Sequence, residues 1–445
     1  MKNFFISFFT GLFLVSALPA ISQNTWSLQQ CIDYALENNI QIKQQELNTS
    51  YYETQVSQAK SNKLPNLNAQ LGNDYSFGRS LTYENTYENV NSMSVSGGAG
   101  TNFTIWNGFT LSNEVRRQEL DLQATLQDLL KAKDDIMLNI TRAYMEILFA
   151  EEVILVDTAQ ITVTKQQINR TQQLVDAGSL AKGSLLEIQA QLAREELQLV
   201  NDQNTMELAY LNLYQLLDLP IEEHFTIEKP VLPEIKANMS MANSLDVFNN
   251  ALNVRPEIKA AQLRVQSAET QLDIAKGNQY PSLTFGANYY NLYNNKYTDI
   301  YGEKIAFGDQ LKNNGRSSAG FTLSIPIFNR FMVKNAISNA NLQIYDYKYR
   351  LQTASNVLRK EIEQSYANAL ASLNRYISTQ KAVVSMEEAF RYIEEKFNVG
   401  MVNSVDYNLQ KNQLTAAQSQ LLQAKYEYIF RTKILDFYNG IPIEL

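Results

Sequence analysis

The sequence predicts an α+β fold in which alternating strands lead into very long helices, and in which this unit occurs twice. Apolar–polar alternation follows two proline-containing stretches, KSNKLPNLNAQLG at 60–72 and KGNQYPSLTFGAN at 276–288. After the strands, segments 113–176 and 335–399 contain neither proline nor glycine, as expected of uninterrupted helices. The two halves also match each other at a constant spacing.

The N-terminus predicts export from the cytoplasm. Lys2 precedes the apolar run FFISFFTGLFLVSALPA, so residues 1–22 are interpreted as a signal peptide cleaved after Ser22. No later stretch approaches the ~20 apolar residues of a membrane-spanning helix. If the mature chain crosses a membrane, it is therefore expected to do so as β-strands.

Composition argues against several functional classes. The formal net charge of −8, without a basic block, disfavours a nucleic-acid partner. The single cysteine, Cys31, and the single histidine, His224, exclude an internal disulfide and any zinc site with several Cys or His ligands. Cys31 is interpreted as a buried apolar residue and His224 as a surface or interface residue. No cofactor and no metal site are predicted.

The constant spacing predicts a tandem duplication. Ala35 aligns with Ala251 at an offset of 216, and the block ALENNIQIK at 35–43 aligns with ALNVRPEIK at 251–259. From about residue 100 the offset is 222 and holds to the end, as in the pair Gly178 and Gly400. The first repeat is predicted at 23–220 and the second at 244–445, with an equatorial linker at 221–243.

Each repeat is predicted to contain one helix, two strands and a helical hairpin. The first helix begins at the cap Ser27 and ends before Pro65, because proline disfavours the α-conformation of the residue before it. The bounds predicted for the first repeat are strands at 66–77 and 91–106 and a hairpin at 109–218. Those for the second repeat are strands at 282–293 and 318–328 and a hairpin at 331–438.

The strands have one apolar face and one small polar face and are about ten residues long, which is typical of outer-membrane barrels. A half-buried sheet in a soluble protein alternates in the same way. The signal peptide and the aromatic residues at the strand ends favour the membrane. Because about eight strands form the smallest closed membrane barrel, four strands per chain require oligomerisation, and three chains would supply twelve.

The returning helices carry seven-residue apolar repeats, which predict coiled-coil packing between neighbouring helices. The members are Leu185, Leu192, Leu199, Met206 and Leu213 in the first repeat, and Tyr407, Leu414, Leu421, Tyr428 and Leu435 in the second.

The whole mature chain resembles the TolC family of outer-membrane efflux proteins. The resemblance rests on the duplicated blocks above, on the pair IWNGF and IFNRF, and on the turn segments DAGSLAKGSLLEIQAQL and FNVGMVNSVDYNLQKNQL. It implies a homotrimer in which a 12-stranded β-barrel in the outer-membrane lipid continues as an α-helical coiled-coil barrel through the periplasm. It also implies a mixed equatorial region. The implied partners are a periplasmic adaptor protein and an inner-membrane transporter of a Gram-negative bacterium.

The resemblance also implies that the channel is narrowest at the helix turns, its periplasmic aperture. Asp406 matches an acidic aperture residue of the family, Phe397 replaces a tyrosine, and Ser184 and Glu187 occupy the corresponding part of the first hairpin. Asp406 is equally well explained as an acid in the first turn of a helix. The turns, where an adaptor is expected to dock, contain Asp176, Gly178, Gly400 and Val402.

The predicted function is that of an exit duct in a tripartite efflux or type I secretion system. A periplasmic coiled-coil scaffold without a pore is the alternative, because such a protein would show the same helical repeats. An enzyme is disfavoured because no nucleophile, base and acid form a recognisable set.

Overall fold

The computed structural model describes residues 25–81, 85–220, 225–232, 235 and 243–443. The predicted signal peptide at 1–22 lies outside the described residues, and so do His224 and most of the predicted linker at 221–243.

The chain alternates between short strands and long helices. Its first half contains β1 (Thr25–Trp26), α1 (Leu28–Asn38), α2 (Ile40–Ser61), β2 (Asn68–Ser76), β3 (Arg79–Leu81), β4 (Tyr87–Asn89), β5 (Ser92–Trp106), α3 (Thr110–Asp176), α4 (Lys182–Leu217) and β6 (Thr226–Ile227). Its second half contains α5 (Ser244–Val254), α6 (Pro256–Gly277), β7 (Ser282–Asn294), α7 (Phe307–Asn313), β8 (Arg316–Ser324), α8 (Met332–Asn398) and α9 (Ser404–Tyr438).

The first helix of each half of the chain is broken, whereas the sequence predicts one continuous helix. Asn39 is extended, and its side-chain oxygen accepts hydrogen bonds from the backbone of Gln41 (2.9 Å) and Ile42 (3.3 Å), which starts α2 as a new helix. The Asn39 amide donates to the carbonyl of Leu216 at 2.9 Å and so ties the break to the end of α4. In the second half of the chain Arg255 is extended because Pro256 follows it.

Four strands form one antiparallel sheet in the order β2–β5–β7–β8. The central pair approaches closely: a Cβ at Gly98 would lie 2.7 Å from the carbonyl oxygen of Tyr289, so only glycine fits there. One face of the outer strands carries exposed apolar side chains, including Leu71 at 88% and Phe321 at 70% exposure. Within the described residues of one chain, no other element packs against this apolar face.

The last sheet strand is shorter than predicted. The predicted strand at 318–328 is in fact Arg316–Ser324, because Pro326 lacks a backbone N–H and Ile325 precedes it. Three further elements were not predicted from the sequence: the β3–β4 hairpin, the parallel pair β1–β6 and the helix α7 between β7 and β8.

The helices α3 and α8 each contain 67 residues and begin 222 residues apart. Each packs along its returning partner, α4 or α9, and α9 also packs against α3. All ten residues of the predicted seven-residue repeats are buried or partly buried, with Leu213 and Tyr407 almost fully so. Among the described residues, none of the helices has a stretch long and apolar enough to span a membrane.

The largest apolar core lies where α1, the middle of α3 and the ends of α4 and α9 meet. Cys31 is buried there, and burial raises the pKa of its thiol to about 12. Tyr144 of α3 donates its hydroxyl to the carbonyl of Glu228 at 2.6 Å, which fastens β6 to this core. The core therefore holds the middle of the molecule together, at a distance from both the sheet and the hairpin turns.

Candidate functional site

The two helical hairpins turn in the same way at Gly178 and Gly400. Both glycines have positive φ, 74° and 78°, in the left-handed region where a side chain is disfavoured. The residues after them close the preceding helices: Ser179 donates its N–H to the carbonyl of Leu174 at 2.8 Å, and Met401 donates to that of Lys396 at 2.9 Å. These bonds satisfy the last carbonyls of α3 and α8, so each turn is a compact helix end.

Asp406 lies on the exposed side of the first turn of α9. Its backbone N–H donates to the side-chain oxygen of the cap residue Asn403 at 2.8 Å. Within the described part of the chain, no cation lies within ion-pair distance of its carboxylate. Asp406 is therefore placed both to favour the start of α9 and to present a negative charge to solvent.

Glu187 connects the two hairpins close to their turns. It lies in the first two turns of α4, and its carboxylate accepts a hydrogen bond from the hydroxyl of Ser404, which starts α9. Ser404 is buried, whereas the residue Glu187 is exposed. The sequence analysis placed Glu187 at the aperture but did not predict this contact.

Phe397 is buried, with 3% of its surface exposed, and does not present its ring to solvent in this protomer. Its ring stacks on that of Tyr407, with centroids 4.7 Å apart, and Ile188 of the other hairpin completes the cluster. Burial raises the pKa of Tyr407 and stabilises its neutral form. These side chains hold the two turns against each other.

The other predicted turn residues lie near the surface. Asp176 is exposed and accepts a hydrogen bond from the side chain of Gln172 at 2.7 Å. Ser184 and Val402 are half-buried, one on each hairpin. No residue within 4 Å would meet a Cβ added at Gly178 or Gly400, so both turns have open space around them.

A buried ion pair that the sequence analysis missed connects the hairpins above the turns. Lys411 of α9 is 2% exposed, and its ammonium lies 3.2 Å from the carboxylate of Glu195 on α4. The ammonium also donates to the hydroxyl of Thr164 on α3, which in turn donates to Glu195. Burial lowers the pKa of Lys411, and the charge of Glu195 opposes this effect.

Amide side chains extend this network across the hairpins. Gln191 of α4 donates to Glu195 at 3.0 Å and to Asn412 of α9 at 2.7 Å. Arg194 donates to the side-chain oxygen of Gln191 at 2.8 Å. Lys411 could have been noticed in the sequence. It lies four residues after Tyr407 and three before Leu414, a position at which a seven-residue repeat normally has an apolar residue.

The inner side of α3 changes character along its length. Around Ile140 and Ile147 it is apolar, whereas nearer the turn its buried residues are polar except for Ile161: Asp157, Thr164, Gln167 and Thr171. In the described residues no group of three or more metal-ligating side chains could hold a metal ion. The geometry therefore supplies a polar joint between the hairpins.

The model of the family described as "Outer membrane efflux protein" matches residues 31–218 and 247–435. Each match spans one set of helices, sheet strands and long hairpin. The chain belongs to this family. It is an exit duct of the outer membrane of a Gram-negative bacterium and extends into the periplasm.

Curated relatives include the outer membrane protein TolC of Salmonella enteritidis, 24% identical over 441 residues, which cover 93% of this chain and 82% of that protein. Similar solved structures include CusC, with a TM-score of 0.78 and 15% identity, covering 93% of this chain and 92% of CusC. VceC of Vibrio cholerae gives a TM-score of 0.77 at 17% identity, covering 94% and 97%. The chain thus has the fold of these outer-membrane channels.

Proposed function

We propose that the chain forms a homotrimeric duct, the outer-membrane component of a tripartite efflux or type I secretion system. The observation that carries the proposal is the open sheet β2–β5–β7–β8, which is attached to helices of 67 residues. At ~1.5 Å per residue these helices extend about 100 Å, long enough to cross a wide aqueous space. A periplasmic adaptor and an inner-membrane transporter would then deliver the substrate to the duct and provide the energy for its export.

The sheet supports the trimer because its edge strands, β2 and β8, have no partner on their outer sides within the described residues. Exposed sheet edges favour pairing with another chain. Three copies joined β8 to β2 would close a barrel of twelve strands. The exposed apolar side chains of Leu71 and Phe321 would then face lipid, which offsets the energy of leaving them uncovered.

A tandem duplication accounts for the paired architecture. The helices α3 and α8 have the same length, and each follows a left-handed residue, Phe109 or Phe331. The two copies differ in the polar joint, since Lys411 corresponds to Gln189 in the first repeat. On this proposal one protomer supplies two of the six similar segments of the trimer's wall.

We assign the periplasmic aperture to the hairpin turns. Asp406 would contribute one negative charge per protomer to the ring, and Glu187 another, while Phe397 would support the turns from inside. The adaptor would contact the exposed surface around Asp176, Gly178, Gly400 and Val402. The open space around both glycines would leave room for a docked partner.

The duct is tested by isolating the protein from outer-membrane fractions and recording single channels in planar bilayers. We expect trimers that conduct ions with a preference for cations. A protein that stays monomeric and does not conduct would refute the duct and favour a scaffold.

The aperture is tested separately with Asp406→Ala. This variant should lower cation preference and weaken block by divalent ions, because each trimer loses three carboxylates. Asp273→Ala on α6, which removes a surface charge far along the chain, is the matched control. If both variants showed the same cation preference and the same block by divalent ions, Asp406 would not belong to the aperture. The duct proposal itself would be unaffected.

A further inference from the structure

A groove of about 850 Å³ runs between α4 and α9, with α3 as its floor. Its walls mix apolar and polar side chains. Phe149, Val153 and Leu208 lie toward one end, and Gln191, Glu195 and Asn412 lie at the other, beside the buried ion pair. All three helices belong to one protomer, so the groove exists within a single chain.

Two carboxyl groups on neighbouring helices, those of Asp157 and Asp202, line this groove. Asp157 of α3 is 8% exposed, and its Oδ2 atom is buried without a hydrogen-bond donor. The Asp202 carboxyl of α4 lies near enough to contribute to the raised pKa of Asp157. A buried carboxylate oxygen without a donor is energetically unfavourable, and a cation placed between the two groups would satisfy both.

The lining carries an excess of negative charge. Its acids are Glu146, Asp157, Glu195 and Asp202, and its one basic residue is Arg194, which is engaged with Gln191. Lys411 does not line the groove, but its ion pair with Glu195 compensates the charge of that carboxylate. Among the described residues, neither Asp157 nor Glu146 has a cation within ion-pair distance.

We propose that this groove binds a linear polyamine, with one terminal ammonium between Asp157 and Asp202 and the other near Glu146. The methylene segments would lie along Phe149 and Val153. Asp157 and Glu146 are eleven residues apart on one side of α3, which corresponds to about 16 Å along the helix. Spermine, whose terminal nitrogens are joined by a chain of comparable extended length, is the matching probe.

A divalent metal fits the groove less well than an amine does. A metal ion needs several oxygen ligands around one point, and no group of three or more candidate ligands exists in the described part of the chain. The acids are instead spread along the groove, with apolar surface between them. An ammonium needs only two or three acceptors, and its alkyl chain gains from apolar contact.

Binding should depend on pH. Burial, together with the neighbouring Asp202 and Glu195 carboxylates, raises the pKa of Asp157 to about 7. The other charged groups at or beside the groove are Glu146, Arg194 and Lys411. Spermine would displace the proton that Asp157 binds below about pH 7, so affinity should rise by at least about threefold from pH 6 to pH 8.

The test is isothermal titration of spermine into the purified full-length protein in non-ionic detergent at constant ionic strength. We expect one site per chain and proton release near pH 7. Asp157→Asn and Asp202→Asn should each weaken binding about tenfold, and Glu146→Gln should weaken it two- to threefold. Glu207→Gln is the matched control, because Glu207 lies on α4 and does not line the groove.

Three outcomes would overturn the proposal: no saturable binding by the wild type, unchanged affinity in Asp157→Asn, or equal competition by magnesium at the same ionic strength. Loss of binding through misfolding is recognised separately, since Asp157→Asn should retain the helical circular dichroism of the wild type and should not unfold at a lower temperature. An altered channel conductance is not required, so this test is independent of the duct proposal.

Discussion

Removing Lys411 should loosen the joint between the two hairpins. Its ammonium contacts Thr164 and Glu195 at a site where only 2% of the lysine is exposed. Lys411→Ala would delete the cation and its aliphatic stem while leaving Glu195 in place, with its side chain 10% exposed. The carboxylate would keep Gln191 and Thr164 as donors but lose its only ion-pair partner in the described structure.

The expected loss of stability depends on two opposing energies, the attraction between the two charges and the cost of burying them. At 3.2 Å and an effective dielectric constant near 20, the attraction is about 5 kcal/mol. Burying the two charges offsets most of this, so the pair as a whole contributes little. Removing one partner is different, because the remaining buried charge is uncompensated, and we expect a loss of about 3–5 kcal/mol. Lys411→Met combined with Glu195→Gln should lie within about 1 kcal/mol of the wild type.

The assay is amide hydrogen exchange of the intact protein, followed by mass spectrometry of peptides from α4 and the first half of α9. Local opening is measured directly, so a reversible global transition is not needed. Lys381→Met, which removes an exposed lysine from α8, is the control. The reasoning would be refuted by unchanged protection in Lys411→Ala, or by a double variant that is as destabilised as the single one.

Three further changes test the surrounding structure. Phe397→Ala should destabilise the hairpin turns by about 3–5 kcal/mol, because the buried ring packs on Tyr407, and exchange of turn peptides should rise while that of the central core does not. Gly400→Ala should cost about 1 kcal/mol through backbone strain alone, since its φ is 78° and there is room for a methyl group; an unchanged thermal midpoint would contradict this. The raised pKa of Asp157 means that its contribution to stability is present below pH 4 and lost as pH rises through about 7. Asp157→Asn should therefore be more stable than the wild type by about 1–2 kcal/mol at pH 8 but not at pH 4, as measured by thermal denaturation, and an equal difference at both pH values would contradict the assignment.

Much of the local structure followed from the sequence, because it depends on residues that are close along the chain. Pro65 and Pro281 predicted the ends of the helices that precede the sheet, and Gly178 and Gly400 predicted the hairpin turns. Alternation of period two placed the four sheet strands to within a few residues, apart from the end of β8. The family resemblance stated on these motifs is confirmed by the match over both halves.

The helix break at Asn39 could not be predicted from residues that are close along the chain. Nothing nearby forbids helix at this residue, and an asparagine in a helical pattern is tolerated. Its amide bonds to Leu216, 177 residues away, and its oxygen starts the next helix. The break therefore depends on where α4 ends, which no local pattern records.

The sequence by itself determined the kinds of element, their order and their repetition, because helix, strand and turn preferences act over a few residues. Only the tertiary structure decided which side chains meet. Lys411 reaches Glu195, Asp157 lies beside Asp202, and Phe397 faces inward, since each contact depends on how neighbouring helices are rotated about their axes. Rotation by one position moves a residue by ~100° around a helix, and the packing of whole faces selects it.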